Sequence, residues 1–351
     1  MPAASVRDVA LKARVSVGTV SNVLNRPSKV SAQTIERVTA AIAELGFIRN
    51  DAARQLRAGR SKTIGLVVLD VRNPFFTDLA RGAEDQAAAA GLSVILGNSD
   101  ENTEREATYL DLFDEQRVHG LLISPYGEIT TRLASLRARG IAAVLVDRRS
   151  GDDDGFSSVS VDDFAGGRMA VEHLISIGRR RIAFVGGSSE IRQVSDRLLG
   201  AREAITNHSG AAAYATDGAD ATAAELEVLP TDALTVIEGR RIGAELRDRD
   251  PQDRPDAVFA ANDLVALGIL QALMMQGIGT VRVPEEIALI GYDDIDFAAA
   301  AVVPLSSIRQ PSALLGQTAV EILLQEADDP TLPPRQIEFQ PELVVRASTA
   351  R

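Results

Sequence analysis

Residues 15–25 of the chain have the sequence Val-Ser-Val-Gly-Thr-Val-Ser-Asn-Val-Leu-Asn, in which small polar residues lead into a helical apolar pattern. Ser16 is a residue type that caps helix N-termini, with Thr19 three positions later, so we predict a helix over residues 17–24. A preceding helix is predicted over residues 6–13, and the intervening Arg14, Val15 and Ser16 match a helix-turn-helix turn in length. The stretch therefore predicts a helix-turn-helix unit.

A third helix is predicted over residues 32–44, with Ser31 as its N-cap and Gly46 after its end. Ser5 is the predicted N-cap of the first helix. The inner faces of the first two helices are then apolar: Val6, Val9, Ala10, Ala13, Val15, Val20, Val23 and Leu24. Residues 50–61 are polar and basic, with too little apolar surface to form a stable isolated helix. We therefore predict an all-α headpiece (residues 1–49), a linker (50–61) that becomes helical on binding, and a larger body (62–351).

In the body, short β-rich runs alternate with amphipathic segments, which predicts parallel sheets covered by helices. The predicted strands lie at 63–69, 93–96, 120–123, 142–146, 182–185, 257–260 and 287–290. The predicted helices lie at 75–90, 104–116, 163–177, 197–207, 234–247 and 262–276. This length favours two doubly wound α/β lobes with a cleft between them. We expect the first lobe to comprise residues 62–161 and 292–324, and the second 162–291 and 325–351.

The charge is distributed unevenly between these parts. The whole chain has a formal net charge of −12, but residues 1–60 hold ten Lys or Arg against four Asp or Glu. A basic headpiece on an acidic body is compatible with a nucleic-acid partner, because only the headpiece needs to approach the phosphates. There is no cysteine, and no apolar run has the length of a membrane span. We expect a cytoplasmic protein without a membrane partner.

The first sixty residues resemble the DNA-binding domain and hinge of the lac repressor/galactose repressor family. The similarity has no gap and rests on Val9-Ala10, Ala13, Val15 to Asn25, Val30-Ser31, Ile42 to Phe47, Asn50 and Ala53 to Leu56. It departs from the family at Arg14, where glycine is usual in the turn, and at Asn22, where arginine is frequent. An arginine at position 14 would be strained if its φ were positive.

The resemblance implies a role for each part of this segment. Val17, Gly18 and Asn22 would read base edges in the major groove, and Ser16, Thr19, Ser21 and Asn25 would bind phosphates. In the hinge, Leu56 would enter the minor groove with Ala53 beside it and kink the duplex. Because two hinges must meet there, the family pattern implies a homodimer on near-palindromic operator DNA, with a tetramer left open.

The body resembles the effector module of the same family, which is similar to periplasmic sugar-binding proteins. The similarity rests on Asp70 to Phe76, Gly97 to Asp100, Val146 to Arg148, Val161-Asp162, Gly166-Gly167, Asp196-Arg197, Ala261 to Asp263, Gly291 to Asp294 and Pro304 to Gln310. It implies an effector between the lobes, a sugar or sugar derivative, with a nucleoside or purine as the alternative. By this resemblance Arg197 and Asp263 bind the effector hydroxyls and Phe76 or Phe75 stacks on it. Further candidates are Asn73, Ser124, Tyr126, Asp147, Arg192 and Phe164.

Other interpretations of these residues stay open at this point. Asp147-Arg148 and Asp293-Asp294 are also typical of loop-ordering or interlobe residues, and Asn262 is suited to cap the following helix. We predict no catalytic residue, cofactor or metal site, since the three histidines are isolated and no nucleophile elbow or Walker A motif is present. A transporter's solute-binding protein would have no use for residues 1–60. The sequence therefore favours a DNA-binding repressor controlled by a small molecule.

Overall fold

The computed structural model describes residues 4–47, 61–151, 155–187, 190–213, 223–275 and 280–350. The chain divides into two compact units, residues 1–60 and 61–351. No helix in the described ranges combines the length and the apolarity needed to cross a membrane.

Three helices form the headpiece, and they confirm the predicted ones. Helix α1 spans Val6–Ala13, α2 spans Val17–Asn25 and α3 spans Ala32–Leu45, with a 3₁₀ turn at Pro27–Lys29. Their inner faces enclose a small core in which Val9, Val20 and Val38 are fully buried. A core of this size is marginal, so the helix ends contribute a substantial share of the stability.

The helix caps differ in one detail from the prediction. The Ser5 hydroxyl accepts from the Asp8 N–H at 3.3 Å, and the Ser16 hydroxyl accepts from the Thr19 N–H at 3.0 Å. Ser31 occupies the N-cap position of α3, but its hydroxyl lies 2.9 Å from the Thr34 hydroxyl and makes no capping bond to the backbone. The third cap is therefore the weakest of the three.

The turn between α1 and α2 contains a left-handed residue. Arg14 has a φ of 54°, and the Val15 N–H returns to the Ala10 carbonyl at 2.9 Å. This geometry closes the end of α1, but it places a Cβ where glycine would be unstrained. The expectation that an arginine here is strained is therefore confirmed by its φ.

The first lobe is built on a six-stranded parallel sheet in the order β11-β5-β4-β3-β1-β2. Its strands are β1 Thr63–Val68, β2 Ser93–Asn98, β3 Gly120–Ile123, β4 Ala142–Val146, β5 Ser157–Val161 and β11 Gln336–Phe339. Its helices are α4 Pro74–Ala89, α5 Thr103–Glu115, α6 Thr130–Ala138 and α12 Ser312–Asp328. The central strands are buried on both faces, as a doubly wound sheet requires.

The second lobe has a sheet in the order β12-β10-β9-β8-β6-β7, parallel except for the β10-β12 pair. Its strands are β6 Arg181–Gly186, β7 Glu225–Pro230, β8 Ala257–Ala260, β9 Ala288–Asp293, β10 Ser306–Arg309 and β12 Glu342–Val344. Its helices are α7 Asp163–Ser176, α8 Arg192–Ala213, α9 Val236–Asp248, α10 Asp263–Leu273 and α11 Asp296–Ala299. Two α/β lobes, as predicted, are thus confirmed.

The division of the chain between the lobes differs from our expectation. The chain crosses between them three times, after β5, after β10 and after β11. Residues 292–309 belong to the second lobe because β10 pairs with β9, whereas α12 and β11 belong to the first. The predicted assignment was therefore wrong for residues 292–309 and 325–339, whereas residues 312–324 lie in the first lobe and β12 lies in the second, as predicted. The short strands β10, β11 and β12 carry too weak a pattern to be located by periodicity.

Replacing Arg14 by glycine should stabilise the headpiece by about 0.5–1 kcal/mol, because glycine adopts the left-handed conformation without a Cβ clash. Hydrogen exchange of the headpiece amides in the full chain measures this. The matched control is Arg37→Gly inside α3, which should lower stability by about 1 kcal/mol. A loss of stability at both positions would contradict the strain at Arg14.

Candidate functional site

Helix α2 presents a small polar surface to solvent. Val17, Gly18 and Asn22 are exposed, and the Val17 side chain retains 43% of its accessible surface. The opposite face is anchored by buried Val20 and Val23. The outward orientation predicted for the three residues is therefore confirmed, and the small side chains at the helix start leave the backbone free to approach a duplex closely.

The four predicted phosphate-binding residues also hold the ends of α2. The Ser16 hydroxyl lies 2.9 Å from the Thr19 hydroxyl, and the Asn25 amide donates to the Ser21 carbonyl at 2.8 Å. These bonds fix the side chains at the two ends of the helix. Ala53 and Leu56, the predicted minor-groove residues, lie outside the described residues.

A small cavity lies in the cleft between the two lobes of the body, with a volume of about 40 Å³. From the first lobe it is lined by Leu69, Asp70, Asn73, Phe75, Phe76, Glu101 and Asp147. From the second lobe and the crossover after β10 it is lined by Ile191, Gln193, Val194, Arg197, Leu234, Asn262, Asp293 and Gln310. Most polar members lie just beyond the carboxyl ends of parallel strands, where doubly wound folds bind ligands. The space holds only a few waters.

Side chains of the two lobes bond directly across the cleft. The Asn73 amide donates to Asp293 Oδ2 at 2.8 Å, while Asn73 Oδ1 caps α4 at the Phe75 N–H. The Gln193 amide donates to Asp147 Oδ2 at 3.0 Å. These two bonds join cavity residues of one lobe to those of the other, so a ligand that needs more room must break or rearrange them.

Arg197 is the charged centre of the cavity wall. Its Nε donates to Asp163 at 2.7 Å, its Nη1 donates to the Ala261 carbonyl at 2.7 Å, and its guanidinium lies 3.6 Å from the ring centroid of Tyr292. Burial alone would lower the pKa of Arg197, but the negative charge of Asp163 reverses this and raises it. The guanidinium is therefore permanently charged and held in one orientation.

Two cavity carboxyls, those of Asp147 and Asp293, are hydrogen-bonded by neutral amides. Asp147 accepts from Gln193, and Asp293 accepts from Asn73 and from the Gln310 amide at 2.8 Å. Burial raises the pKa of Asp293 to about 6, although Arg197 and the two amide bonds oppose the shift. Burial and the charge of Asp163 raise the pKa of Asp147 well above its ordinary range. Both carboxyls would therefore gain from further donors.

Asp263, predicted to bind the effector, has other partners in this structure. It is fully buried, accepts from the Ser307 hydroxyl at 2.7 Å and the Ile295 N–H at 2.9 Å, and is not among the cavity-lining residues. Gly291 passes so close that a Cβ there would lie 2.0 Å from Asp263 Oδ1. Asp263 therefore holds the segment that directly follows β9. Because Asp293 is the last residue of β9, these bonds also help to position Asp293.

The remaining candidates divide between the cavity and its surroundings. The cavity is lined by Asn73, Phe75, Phe76, Asp147 and Arg197, and the two rings pack edge to face at 5.0 Å. A neighbouring groove contains Tyr126 and Arg192, and the Tyr126 hydroxyl donates to Glu190 at 2.8 Å. Ser124 is buried outside the cavity lining, and Phe164 is 39% exposed on α7. The structure therefore does not bring these four to the cavity.

Sequence reasoning did not select several residues that line the cavity. Asp293 and Asn262 were seen, but as loop and cap residues; Asn262 is indeed the N-cap of α10, accepting from the Val265 N–H at 2.9 Å. Gln193, Gln310, Asp70 and Glu101 were not selected. The available signal was their place directly after a strand or at a helix start, the positions from which side chains meet above the carboxyl edge of a sheet.

Two family models match the chain. Residues 5–50 match the model of bacterial regulatory proteins of the lacI family, and residues 171–349 match a periplasmic binding protein-like domain. The HTH-type transcriptional repressor PurR of Photobacterium profundum is 33% identical over 348 residues, which is 98% of each chain. The relation therefore extends over the headpiece and the body together.

Two solved structures have the same architecture. The lac repressor dimer bound to operator and the anti-inducer ONPF aligns with a TM-score of 0.79 at 28% identity, covering 99% of each chain. A LacI family transcriptional regulator from Enterococcus faecium with bound ribose aligns with a TM-score of 0.70 at 30% identity, covering 82% of this chain and 98% of that one. The chain belongs to the lacI family of bacterial regulatory proteins, and it is a DNA-binding transcriptional repressor rather than an enzyme.

Proposed function

We propose that the chain is a homodimeric repressor of the cytoplasm whose affinity for operator DNA is set by a sugar bound between the two lobes of its body. The observation that carries the sugar assignment is the interlobe cavity. It combines buried acceptors on Asp147, Asp293 and Gln310 with the guanidinium of Arg197 and the rings of Phe75 and Phe76. Paired polar groups bind hydroxyls, and aromatic rings contact the apolar side of a sugar.

The headpiece supports the DNA-binding half of the proposal. Asn22 is exposed on α2, where its amide is suited to bond an adenine edge bidentately, and Val17 is suited to contact a thymine methyl. Gly18 has open space apart from the Ser16 hydroxyl 3.6 Å from an added Cβ, so it permits close approach. Ser16, Thr19, Ser21 and Asn25 are assigned to phosphates, which set the register of the helix.

Dimerisation and the hinge follow from the geometry of DNA reading. The lac repressor aligned above was solved as a dimer bound to operator. Two headpieces with the same recognition helix bind two half-sites related by a twofold axis, which makes the operator near-palindromic. We assign Leu56 and Ala53 to the minor groove between the half-sites, where an apolar side chain unstacks a base step.

The cavity in this arrangement of the lobes is too small for a sugar, so binding must alter the lobe contacts. Asn73 and Gln193 bond across the cleft to Asp293 and Asp147, and a sugar hydroxyl inserted there would replace these donors. Such a change in the relative position of the lobes is a recognised way of coupling a ligand site to a distant interface, with coupling free energies of about 1–3 kcal/mol.

A thermal-shift screen of sugars, sugar phosphates and nucleosides on the full chain tests the proposal. A ligand of the native state raises the unfolding temperature, by an amount that corresponds to about 2.7 kcal/mol at a concentration of 100 times Kd. A compound that shifts the unfolding temperature is then tested for its effect on operator binding at fixed salt. If only nucleosides stabilised the protein, or if no compound did, the sugar assignment would be wrong.

Replacing Asp147 by asparagine should weaken effector binding on the order of 10–100-fold, because an amide nitrogen, which cannot accept, replaces one of the two carboxyl oxygens available to sugar hydroxyls. Calorimetric titration of the full chain measures this. Asp196→Asn, the same substitution in the neighbouring groove, should leave affinity unchanged. Equal affinities of wild type and Asp147→Asn would remove Asp147 from the site.

Effector binding should weaken as the pH falls below about 6, the pKa of Asp293 in this arrangement of the cleft. The raised pKa means that this carboxyl takes up a proton as the pH falls through that value, whereas sugar hydroxyls that donate to it favour its ionised form. Affinity should then fall by up to about tenfold per pH unit for this group. Titrations between about pH 5 and 8 measure it, and Asp293→Asn should reduce the slope. If the substitution left the pH dependence of affinity unchanged, a group other than Asp293 would be responsible for it.

Replacing Asn22 by alanine should weaken binding to the preferred operator by about 10–100-fold and relax selectivity at one base pair of each half-site. Binding to unrelated duplex DNA should not change, because phosphate contacts carry that affinity. The operator is first selected from random duplexes with the wild-type chain. Thr39→Ala on the exposed side of α3 is the control. An equal loss on specific and unrelated DNA would contradict base reading by Asn22.

A further inference from the structure

The acidic groups of the effector cavity outnumber its cations. Among the described residues that line it, Asp70, Glu101, Asp147 and Asp293 carry carboxyls, and Arg197 is the only cationic side chain. Asp147 and Asp293 are only 4% and 6% exposed. A buried carboxylate is unfavourable unless it is paired or hydrogen-bonded, so the partner of each acid decides what the cavity accepts.

Arg197, the single cation among these lining residues, is already paired with a carboxylate that lies outside the cavity. Arg197 bonds to Asp163, which does not line the cavity, and also to the Ala261 carbonyl. Asp70 is paired with Arg72, whose Nε lies 2.8 Å from one carboxylate oxygen and 3.0 Å from the other. The hydrogen bonds described for Asp147 and Asp293 come from amide donors.

Two acceptor atoms of the cavity wall have no hydrogen-bond partner in the described part of the chain. They are Asp147 Oδ1 and Gln310 Oε1, both buried. Unpaired acceptors require donors from the ligand. A hydroxyl supplies a donor, whereas an ionised phosphate or carboxylate supplies only further acceptors.

We infer, on the basis of the function proposed above, that the effector is an uncharged polyhydroxylated molecule and that Asp147 and Asp293 exclude sugar phosphates and sugar acids. The regulator then senses the sugar before any kinase or oxidase has given it a negative charge. A unit negative charge about 4 Å from a carboxylate, at the effective dielectric constant near a protein surface, weakens binding on the order of 1,000-fold. At about pH 7.5, above the pKa of about 6 of Asp293, this carboxyl is ionised and supplies the repulsion.

Matched ligand pairs test the inference on the full chain. The probes are D-ribose and D-ribose 5-phosphate, D-glucose and D-glucose 6-phosphate, and D-fructose and D-fructose 1-phosphate, titrated calorimetrically at about pH 7.5, where phosphates are ionised. We expect binding of at least one neutral sugar, with its phosphate bound at least about 100-fold more weakly. A phosphate that binds within about tenfold of its parent sugar, or more tightly, would overturn the inference and leave the sugar-binding function standing. Binding by neither series would overturn both.

Asparagine substitutions assign the discrimination to the two carboxylates. In Asp147→Asn/Asp293→Asn the ratio of phosphate Kd to sugar Kd should fall at least about tenfold, because the repulsion is removed while the shape is kept. Asp196→Asn outside the cavity should keep the wild-type ratio. If the double variant does not fold, each single variant is measured, and each should lower the ratio. A ratio unchanged by both single substitutions would overturn the assignment.

Discussion

The buried pair of Arg197 and Asp163 is the interaction on which the body of this repressor depends. Asp163 is the first residue of α7, directly after the first crossover between the lobes, and Arg197 projects from α8 into the interlobe cavity. Removing one partner of a buried ion pair leaves the other uncompensated, which destabilises a protein by about 3–5 kcal/mol. The pair therefore links the Arg197 side chain in the cavity wall to the start of α7. A ligand that displaces Arg197 would also displace this helix start.

Two glycines of α7, Gly166 and Gly167, allow the close packing around this pair. A Cβ at Gly167 would lie 2.0 Å from the Arg197 carbonyl, and one at Gly166 would lie 2.2 Å from the Tyr292 hydroxyl. Helices α7 and α8 therefore approach each other at backbone distance, and the Tyr292 ring reaches the guanidinium. Protein interiors transmit strain because they are close-packed, so a displacement of α7 is transmitted to α8.

The sequence predicted the helices of the headpiece and seven strands of the body because their signals are local. Caps such as Ser16, and apolar runs such as residues 120–123, are recognisable within one turn or one strand. It failed where the deciding partner is distant along the chain. Asp263 lies just beyond β8, and Asp293 is the last residue of β9. Only the tertiary positions of Ser307 and Ile295 show that Asp263 is hydrogen-bonded within its own lobe. Likewise β10 and β11 are short, and only pairing shows to which sheet each belongs.

The three crossovers have a consequence for biosynthesis. The first sheet is complete only when β11 has paired with β5. One face of this sheet is covered by α12, and Gly316 of α12 packs at backbone distance against α4. These elements leave the ribosome after the whole central part of the second lobe. The nascent first lobe consequently exposes apolar strands while roughly a hundred or more residues are translated, the interval in which chaperones bind and aggregation begins. Truncating the C-terminus would remove the last elements of both lobes at once.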